Sequence, residues 1–218
     1  MADHTTTNSN PHKVAFVGHS LIRNLGNFVI SKKNNFNFRD NQLQVKFFAR
    51  GGLKVHEVLE NKPESHLRVF KLTKFRPHTI VLGIGDNDLE EDVSQPKEVA
   101  KQIKRLAERL LLAVPGVVKI VILKLMPRNV DGSNKYLFEK YNQMASEVNN
   151  ELHIIVKPLP SISFHRIEWP FPHEKPVVFQ NRCKTCYKKD GVHLTELGLR
   201  KMAHGVRAVV VRSLHNRL

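Results

Sequence analysis

Cysteine, tryptophan and long apolar runs are all scarce in this chain of 218 residues, which has two cysteines and one tryptophan. No apolar run approaches the roughly 18 residues that a membrane-spanning helix needs. Residues 1–10 are polar and contain no apolar stretch of the kind found in a secretory signal. We therefore expect a cytoplasmic globular protein, with a disordered tail over residues 1–12 and one α/β domain over residues 13–218.

The two cysteines, Cys183 and Cys186, form one Cys-x-x-Cys pair. Such a pair supplies half of a tetrahedral zinc site, which would need two more ligands, and His165 or His173 could serve as such a ligand. A thioredoxin-like redox pair would instead lie at a strand-to-helix junction early in its fold. Because one pair is a weak signal, we interpret both residues as ordinary thiols in a surface loop. Zinc or redox chemistry is the alternative.

Acidic residues are few relative to basic ones. There are 20 Asp and Glu against 35 Lys and Arg, which gives a net charge of +15. This excess is typical of proteins that meet a polyanion, such as nucleic acid or anionic lipid headgroups. The basic residues are spread along the chain, at 32–33, 101–109, 182–189 and 200–212. A solvated basic surface without a dedicated site is therefore the alternative interpretation.

The apolar pattern predicts strands that alternate with helices. Predicted strands cover 14–18, 44–49, 79–82, 117–123 and 153–156, and predicted helices cover 21–30, 54–60, 97–113, 134–150 and a last helix capped by Thr195 and ending near 214. The strands are continuous apolar runs, as expected for parallel strands buried on both faces. This order indicates a doubly wound parallel sheet. Residues 157–190 show no periodicity and predict a long loop, with Phe164, Trp169 and Phe171 as apolar walls of an entrance.

Polar residues suited to acyl transfer follow the predicted strands. Ser20 lies where a strand meets a helix, whose N-terminus favours developing negative charge. Asp190 could orient the imidazole of His193, which could accept the Ser20 proton. Gly52 and Asn87 follow two other strands and could donate N–H groups to an oxyanion. The alternatives are a helix cap for Ser20 and ordinary turn positions for Gly52 and Asn87.

In order and placement these residues resemble the motifs of the SGNH hydrolases, the GDSL-like esterase and lipase superfamily. The four blocks are Gly18-His19-Ser20, Arg50-Gly51-Gly52, Gly85-Asp86-Asn87-Asp88 and Asp190-Gly191-Val192-His193. The resemblance covers nearly all of the chain beyond residue 12. It implies a three-layer α/β/α fold with a flavodoxin-like sheet of five parallel strands.

The resemblance implies a serine esterase for acetyl or short acyl groups that uses no metal and no organic cofactor. Ser20 would attack the ester carbonyl, His193 would act as base and then acid, and Asp190 would orient His193. The N–H groups of Ser20 and Gly52, together with the Asn87 side chain, would hold the oxyanion. The alternative is a catalytically retired scaffold that binds nucleic acid or an anionic membrane through its basic surface.

One position departs from the family pattern, because His19 stands where Asp is usual. That Asp is not one of the four defining residues, so the departure bears on rate and substrate preference more than on reaction class. We interpret His19 as an outward-facing side chain, with an imidazole that titrates near neutral pH at the site as the alternative.

The amino-acid sequence of the first and last blocks also resembles an invertebrate subgroup of the family. In some members of that subgroup, the esterase domain accompanies the nucleic-acid-handling domains of retrotransposons.

Overall fold

Five parallel strands form a sheet in the computed structural model, which describes residues 10–32, 35–59, 63–90, 95–130, 135–165 and 184–215. The strands are β1 (His12–Gly18), β2 (Leu43–Ala49), β3 (Thr79–Gly83), β4 (Lys119–Leu123) and β5 (Ile162–His165). Their order is β2-β1-β3-β4-β5. The order reverses at β1, and in such sheets ligands bind beyond the carboxyl ends of the strands near that point.

Helices cover both faces of the sheet. They are α1 (Ser20–Ser31), α2 (Val55–Leu59), α3 (Pro63–Phe75), α4 (Pro96–Ala113), α5 (Lys135–Val156) and α6 (Glu196–His215). Helices α1 and α6 share one buried apolar cluster with the sheet, and α2 to α5 share the other. The three-layer α/β/α architecture with five parallel strands is thus confirmed.

The central strand β1 sends side chains to both clusters. Val14 and Phe16 belong to the cluster under α1 and α6, whereas Ala15 and Val17 belong to the cluster under α2 to α5. This alternation follows from the two-residue period of a strand. All four residues are essentially inaccessible to solvent, which explains the uninterrupted apolar run.

The carboxyl ends of β1 and β3 approach each other closely at two glycines. Gly18 is paired with Gly83 in the sheet register. A Cβ atom on Gly18 would lie 2.0 Å from the Gly83 carbonyl oxygen, so no larger residue fits there without movement. The segments that leave these two strands therefore begin side by side at the edge of the sheet.

The predicted fifth strand over residues 153–156 is wrong. This segment is the last turn of α5, where Leu152 and Val156 continue the buried stripe of the helix while Ile154 is 65% exposed. The fifth strand lies at Ile162–His165, inside the predicted loop. Phe164 of this strand packs against the core and does not line the cleft described below. Helix α3, over Pro63–Phe75, was not predicted.

Two further expectations need correction. His12, placed in the disordered tail, is the first residue of β1 and is buried. Cys186, placed in a surface loop, is fully buried in the cluster under α1 and α6.

The structure does not describe Trp169, Phe171, His173 or Cys183. In the described residues, His165 included, no group of three or more potential metal ligands comes together. None of the described helices is long and apolar enough to cross a membrane.

Candidate active site

Ser20 is the first residue of α1 and follows β1 after one intervening residue. That residue, His19, is the N-cap of the helix, and its ring Nδ1 accepts a hydrogen bond from the Leu21 N–H at 3.4 Å. The capping role considered for Ser20 is therefore filled by His19. Ser20 lies in the first turn, where unpaired N–H groups create positive potential.

The turn after β2 is tied to Asn87 by side-chain bonds. Gly52 adopts a φ of +69°, a left-handed conformation that glycine reaches without steric cost. The Asn87 side-chain N–H donates to the Leu53 carbonyl oxygen at 3.0 Å. The neighbouring Asp88 carboxylate accepts the Val55 N–H at 3.0 and 3.2 Å. These bonds hold the Gly52 turn against Asn87, whose amide carries a second hydrogen.

The imidazole of His193 is oriented by the carboxylate of Asp190. The His193 Nδ1 lies 2.8 Å from Asp190 Oδ2, and Asp190 Oδ1 accepts the N–H groups of Val192 and His193 at 2.9 and 2.8 Å. Partial burial raises the pKa of Asp190, but these hydrogen bonds outweigh burial and hold the pKa below its ordinary value. A ring that donates from Nδ1 to a carboxylate carries its lone pair on Nε2, the form that a general base requires.

The loop that carries this pair is fixed to the rest of the fold. Tyr187 and Leu194 form an antiparallel bridge at the base of the loop. At its tip Gly191 has a φ of +66°, and a Cβ atom there would lie 2.6 Å from the Phe138 ring. The Gly191 carbonyl oxygen accepts the Asn129 N–H at 2.9 Å. The loop is thus attached to the segment that follows β4 and to α5.

A cleft at the carboxyl edge of the sheet brings three of the predicted residues together. Ser20, Asn87 and His193 all line it. It encloses about 430 Å³ of space between atoms, part of which is open to solvent. Asp190 is not among the lining residues and is linked to the cleft by its hydrogen bond to His193. Gly52 is not among the lining residues and connects to the cleft through Leu53 and Asn87.

The expectation that His19 faces outward is wrong. Its side chain is buried, lines the cleft, and donates from Nε2 to Asp86 Oδ2 at 2.6 Å. The other Asp86 oxygen accepts the Tyr141 hydroxyl at 2.7 Å. Burial raises the pKa of Asp86, but the adjacent His19 ring and the two hydrogen bonds outweigh burial and keep the pKa below its ordinary value.

Asp86 and Tyr141 are the site residues that the sequence did not single out. A signal existed for Asp86, a carboxylate in the turn that follows a buried strand and next to Asn87. No local signal marks Tyr141, which belongs to the buried stripe of α5. Burial and the Asp86 charge raise the pKa of Tyr141 well above its ordinary value, so its hydroxyl stays protonated and donates. The Arg128 guanidinium lies 4.0 Å above the Tyr141 ring and pairs with Glu90 at 2.5 Å.

A sequence-family model described as GDSL-like Lipase/Acylhydrolase matches residues 13–206 of the chain. The chain matches no curated protein sequence.

Solved structures share the fold over nearly the whole chain. A Streptococcus pneumonia protein whose name refers to platelet activating factor is 17% identical, with a TM-score of 0.69 over 94% of this chain and 86% of that one. The native aryl esterase of M. smegmatis is 14% identical, with a TM-score of 0.64 over 93% and 99% of the two chains. A carbohydrate acetylesterase family member from Sinorhizobium meliloti is 16% identical, with a TM-score of 0.63 over 94% and 99%.

Proposed function

Because the chain belongs to the family of GDSL-like lipases and acylhydrolases, we propose that it hydrolyses carboxylic esters of acetyl or short acyl groups through an acyl-enzyme on Ser20. The observation that carries this proposal is the shared cleft of Ser20, Asn87 and His193, with His193 bonded to Asp190. A hydroxyl, an oriented imidazole and an amide donor are the groups that acyl transfer requires.

In the proposed mechanism His193 Nε2 takes the proton of the Ser20 hydroxyl as Ser20 Oγ bonds to the ester carbonyl carbon. The carbonyl oxygen becomes negative and accepts N–H groups from Ser20 and the Asn87 side chain. The N–H of Gly52, whose turn is bonded to Asn87 through Leu53, is the third proposed donor. The tetrahedral intermediate then expels the alcohol, which receives the proton from His193. Water, deprotonated by His193, attacks the acyl carbon. The bond from that carbon to Ser20 Oγ then breaks, Ser20 Oγ takes the proton back from His193, and the acid is released. Asp190 holds the imidazole in one tautomer throughout.

The walls of the cleft can hold an apolar acyl group. Leu21, Met126, Val192 and Leu194 supply apolar surface to the cleft, together with the ring of Tyr187. An acetyl or short acyl chain would bury methyl or methylene groups against this surface, at about 0.8 kcal/mol per methylene. The acetylesterase and aryl esterase among the structural neighbours make p-nitrophenyl acetate the substrate of choice for a test.

Labelling with a fluorophosphonate tests the proposal directly, because the probe forms a bond only with an activated serine. We expect covalent modification on the peptide that contains Ser20, hydrolysis of p-nitrophenyl acetate, and loss of both in Ser20→Ala. Ser31→Ala is the matched control, since Ser31 ends the same helix and is exposed; it should keep wild-type activity. No labelling and no turnover with acetyl to octanoyl esters would instead favour the retired scaffold.

The kinship with the retrotransposon-associated invertebrate subgroup is a separate proposal. It is supported by the amino-acid sequence of the first and last motif blocks and by the net charge of +15. Within it, nucleic acid is the polyanion that the basic surface would meet.

A further inference from the structure

Each polar group of His19 is engaged inside the protein. Its backbone N–H donates to the Gly83 carbonyl oxygen at 3.3 Å, and its carbonyl oxygen accepts the Arg23 N–H at 3.0 Å. Ring Nδ1 accepts the Leu21 N–H, and ring Nε2 donates to Asp86. The residue that precedes Ser20 is therefore fixed at its main chain and at both ends of its ring.

These bonds determine the tautomer of His19 and exclude it as the base for Ser20. Nδ1 can accept the Leu21 N–H only through its lone pair, so the ring proton is on Nε2 and faces Asp86. Neither nitrogen remains to take a proton from Ser20. The His19 ring consequently acts on its neighbours through position rather than through proton transfer.

The two residues of this pair each precede a residue of the predicted machinery. His19 comes directly before Ser20, and Asp86 comes directly before Asn87. The bond of 2.6 Å between them joins the start of α1 to the turn after β3. The Tyr141 hydroxyl holds the second Asp86 oxygen, so the carboxylate cannot rotate without losing a partner. One hydrogen bond therefore spans the two segments that carry the nucleophile and the amide donor.

Resting on the ester hydrolysis proposed above, we propose that the His19–Asp86 hydrogen bond is a positioning device that sets the distance between Ser20 and the Asn87 amide and thereby sets kcat. Tyr141 supports the pair and is a positioning residue as well.

Two substitutions act on the His19–Asp86 bond from either side and leave an acceptor for the Leu21 N–H in place. His19→Asn keeps an acceptor for the Leu21 N–H, because Asn is a favourable N-cap residue, but it is too short to reach Asp86. Asp86→Asn keeps the size of residue 86 and removes its charge. We expect each to lower kcat about 10- to 100-fold, as for a displacement of about 1 Å in a catalytic group. KM should change less than about twofold, because no contact with the ester is removed.

A double-mutant cycle gives the decisive comparison. If one hydrogen bond carries the effect, His19→Asn combined with Asp86→Asn should lower kcat no further than the stronger single change. His12→Gln is the matched control, since His12 is a buried histidine at the opposite end of β1 and bonds to Thr79 Oγ1 at 3.2 Å. Folded single variants with unchanged kcat, multiplicative losses in the double variant, or an equal loss in His12→Gln would overturn the proposal.

Nitrogen-15 NMR of labelled histidine gives a readout that does not depend on turnover. We expect His19 to show the Nε2–H tautomer in the wild-type chain and its Nε2–H signal to move in Asp86→Asn. Absence of that tautomer would overturn the proposed pair. If the wild-type chain hydrolyses no ester while the tautomer is found, the proposed function fails and the pair stands as a structural bond without a role in kcat, which overturns its assignment as a positioning device.

Discussion

At the residue scale, two adjacent side chains in the turn after β3, Asn87 and Asp88, both bond to the segment that follows β2. Asn87 lines the cleft and bonds to the Leu53 carbonyl oxygen, and Asp88 binds the Val55 N–H at the start of α2. Both bonds end on the segment that follows β2. The amide at the cleft is therefore held by a scaffold of backbone contacts rather than by the ligand it would meet.

Asn87→Ala should reduce kcat for p-nitrophenyl acetate by about 10²–10³, the usual cost of removing one oxyanion donor. The fluorophosphonate should still label Ser20 in this variant, because the nucleophile and base are unchanged. Steady-state kinetics with Ser20→Ala as the baseline measures the effect. A loss smaller than about threefold, in a variant that unfolds at the wild-type temperature, would contradict the assignment of Asn87.

Asp86 and Asp88 should affect stability in opposite directions as pH changes. The folded-state pKa of Asp86 lies below its ordinary value of 3.8, so its contribution is present above pH 3.8 and is lost as pH falls through the folded-state pKa. Burial raises the pKa of Asp88 above the same ordinary value of 3.8, so its contribution is present below pH 3.8 and is lost as pH rises through the folded-state pKa.

Urea unfolding between pH 3 and 6 measures both effects. The unfolding free energy of the wild type minus that of Asp86→Asn should increase with pH, and the same difference for Asp88→Asn should decrease. The two variants are matched in chemistry and in position. Slopes of the same sign would show that one of the two pKa directions is wrong.

At the element scale, α4 shows what an apolar pattern can determine. Its buried residues recur at helical spacing, and the structure buries Val99, Ile103, Leu106 and Leu110 as that pattern predicts. Leu112, near the end of the helix, is instead 89% exposed. Two leucines of one helix therefore differ almost completely in burial.

Leu110→Ala should lower the unfolding free energy by about 2–5 kcal/mol, because it removes buried methyl groups and leaves a cavity. Leu112→Ala should change it by less than about 0.5 kcal/mol. Chemical denaturation followed by circular dichroism compares the two, with the same substitution in each case. Similar losses in both variants would contradict the observed packing of α4.

The sequence interpretation is wrong where an apolar run is too short to distinguish the period of a strand from that of a helix. The run from His153 to Val156 fits a short strand and the end of a helical stripe equally well, and only the packing of α5 against α4 and β5 decides between them. Strand β5 is four residues long with one buried side chain at Ile162, too little for an apolar signal. Segments with several buried turns, such as α4, were predicted closely.

The same contrast holds for the candidate site. Ser20 and Asn87 could be expected to meet because their segments follow the ends of parallel strands, and the resemblance to the family added His193. The His19–Asp86 bond could not be predicted, because it joins residues 67 positions apart and depends on side-chain conformation. The departure of His19 from the family block marked one residue of the bond, but it did not identify Asp86 as the other.

At the scale of the whole molecule, the net charge of +15 should produce binding to a polyanion. Exposed basic residues recur at every fourth position of α4, at Lys97, Lys101, Arg105 and Arg109. Arg105 pairs with Glu98, at 3.3 Å. Lys97 and Lys101 are therefore the residues of choice for charge reversal.

We expect the chain to bind a single-stranded RNA or heparin with an affinity that falls steeply as salt increases. Lys97→Glu combined with Lys101→Glu should weaken binding and reduce the slope of log K against log salt by about 2, one unit per phosphate contact. Ester hydrolysis in the double variant serves as the control and should stay at the wild-type level. Absent or salt-independent binding would exclude this role for the basic surface.

Helix α6 follows the last motif block and is needed to bury one face of the sheet. It directly follows the loop of Asp190 and His193, and its residues Met202, Val206 and Val210 cover the same sheet face as Phe16. A premature stop codon shortly after residue 194 would leave all four motif blocks encoded, yet it would uncover that face. Such a truncated product should aggregate or be degraded by proteases. Nonsense mutations in this last segment would then act as loss of protein, not as accumulation of an inactive enzyme.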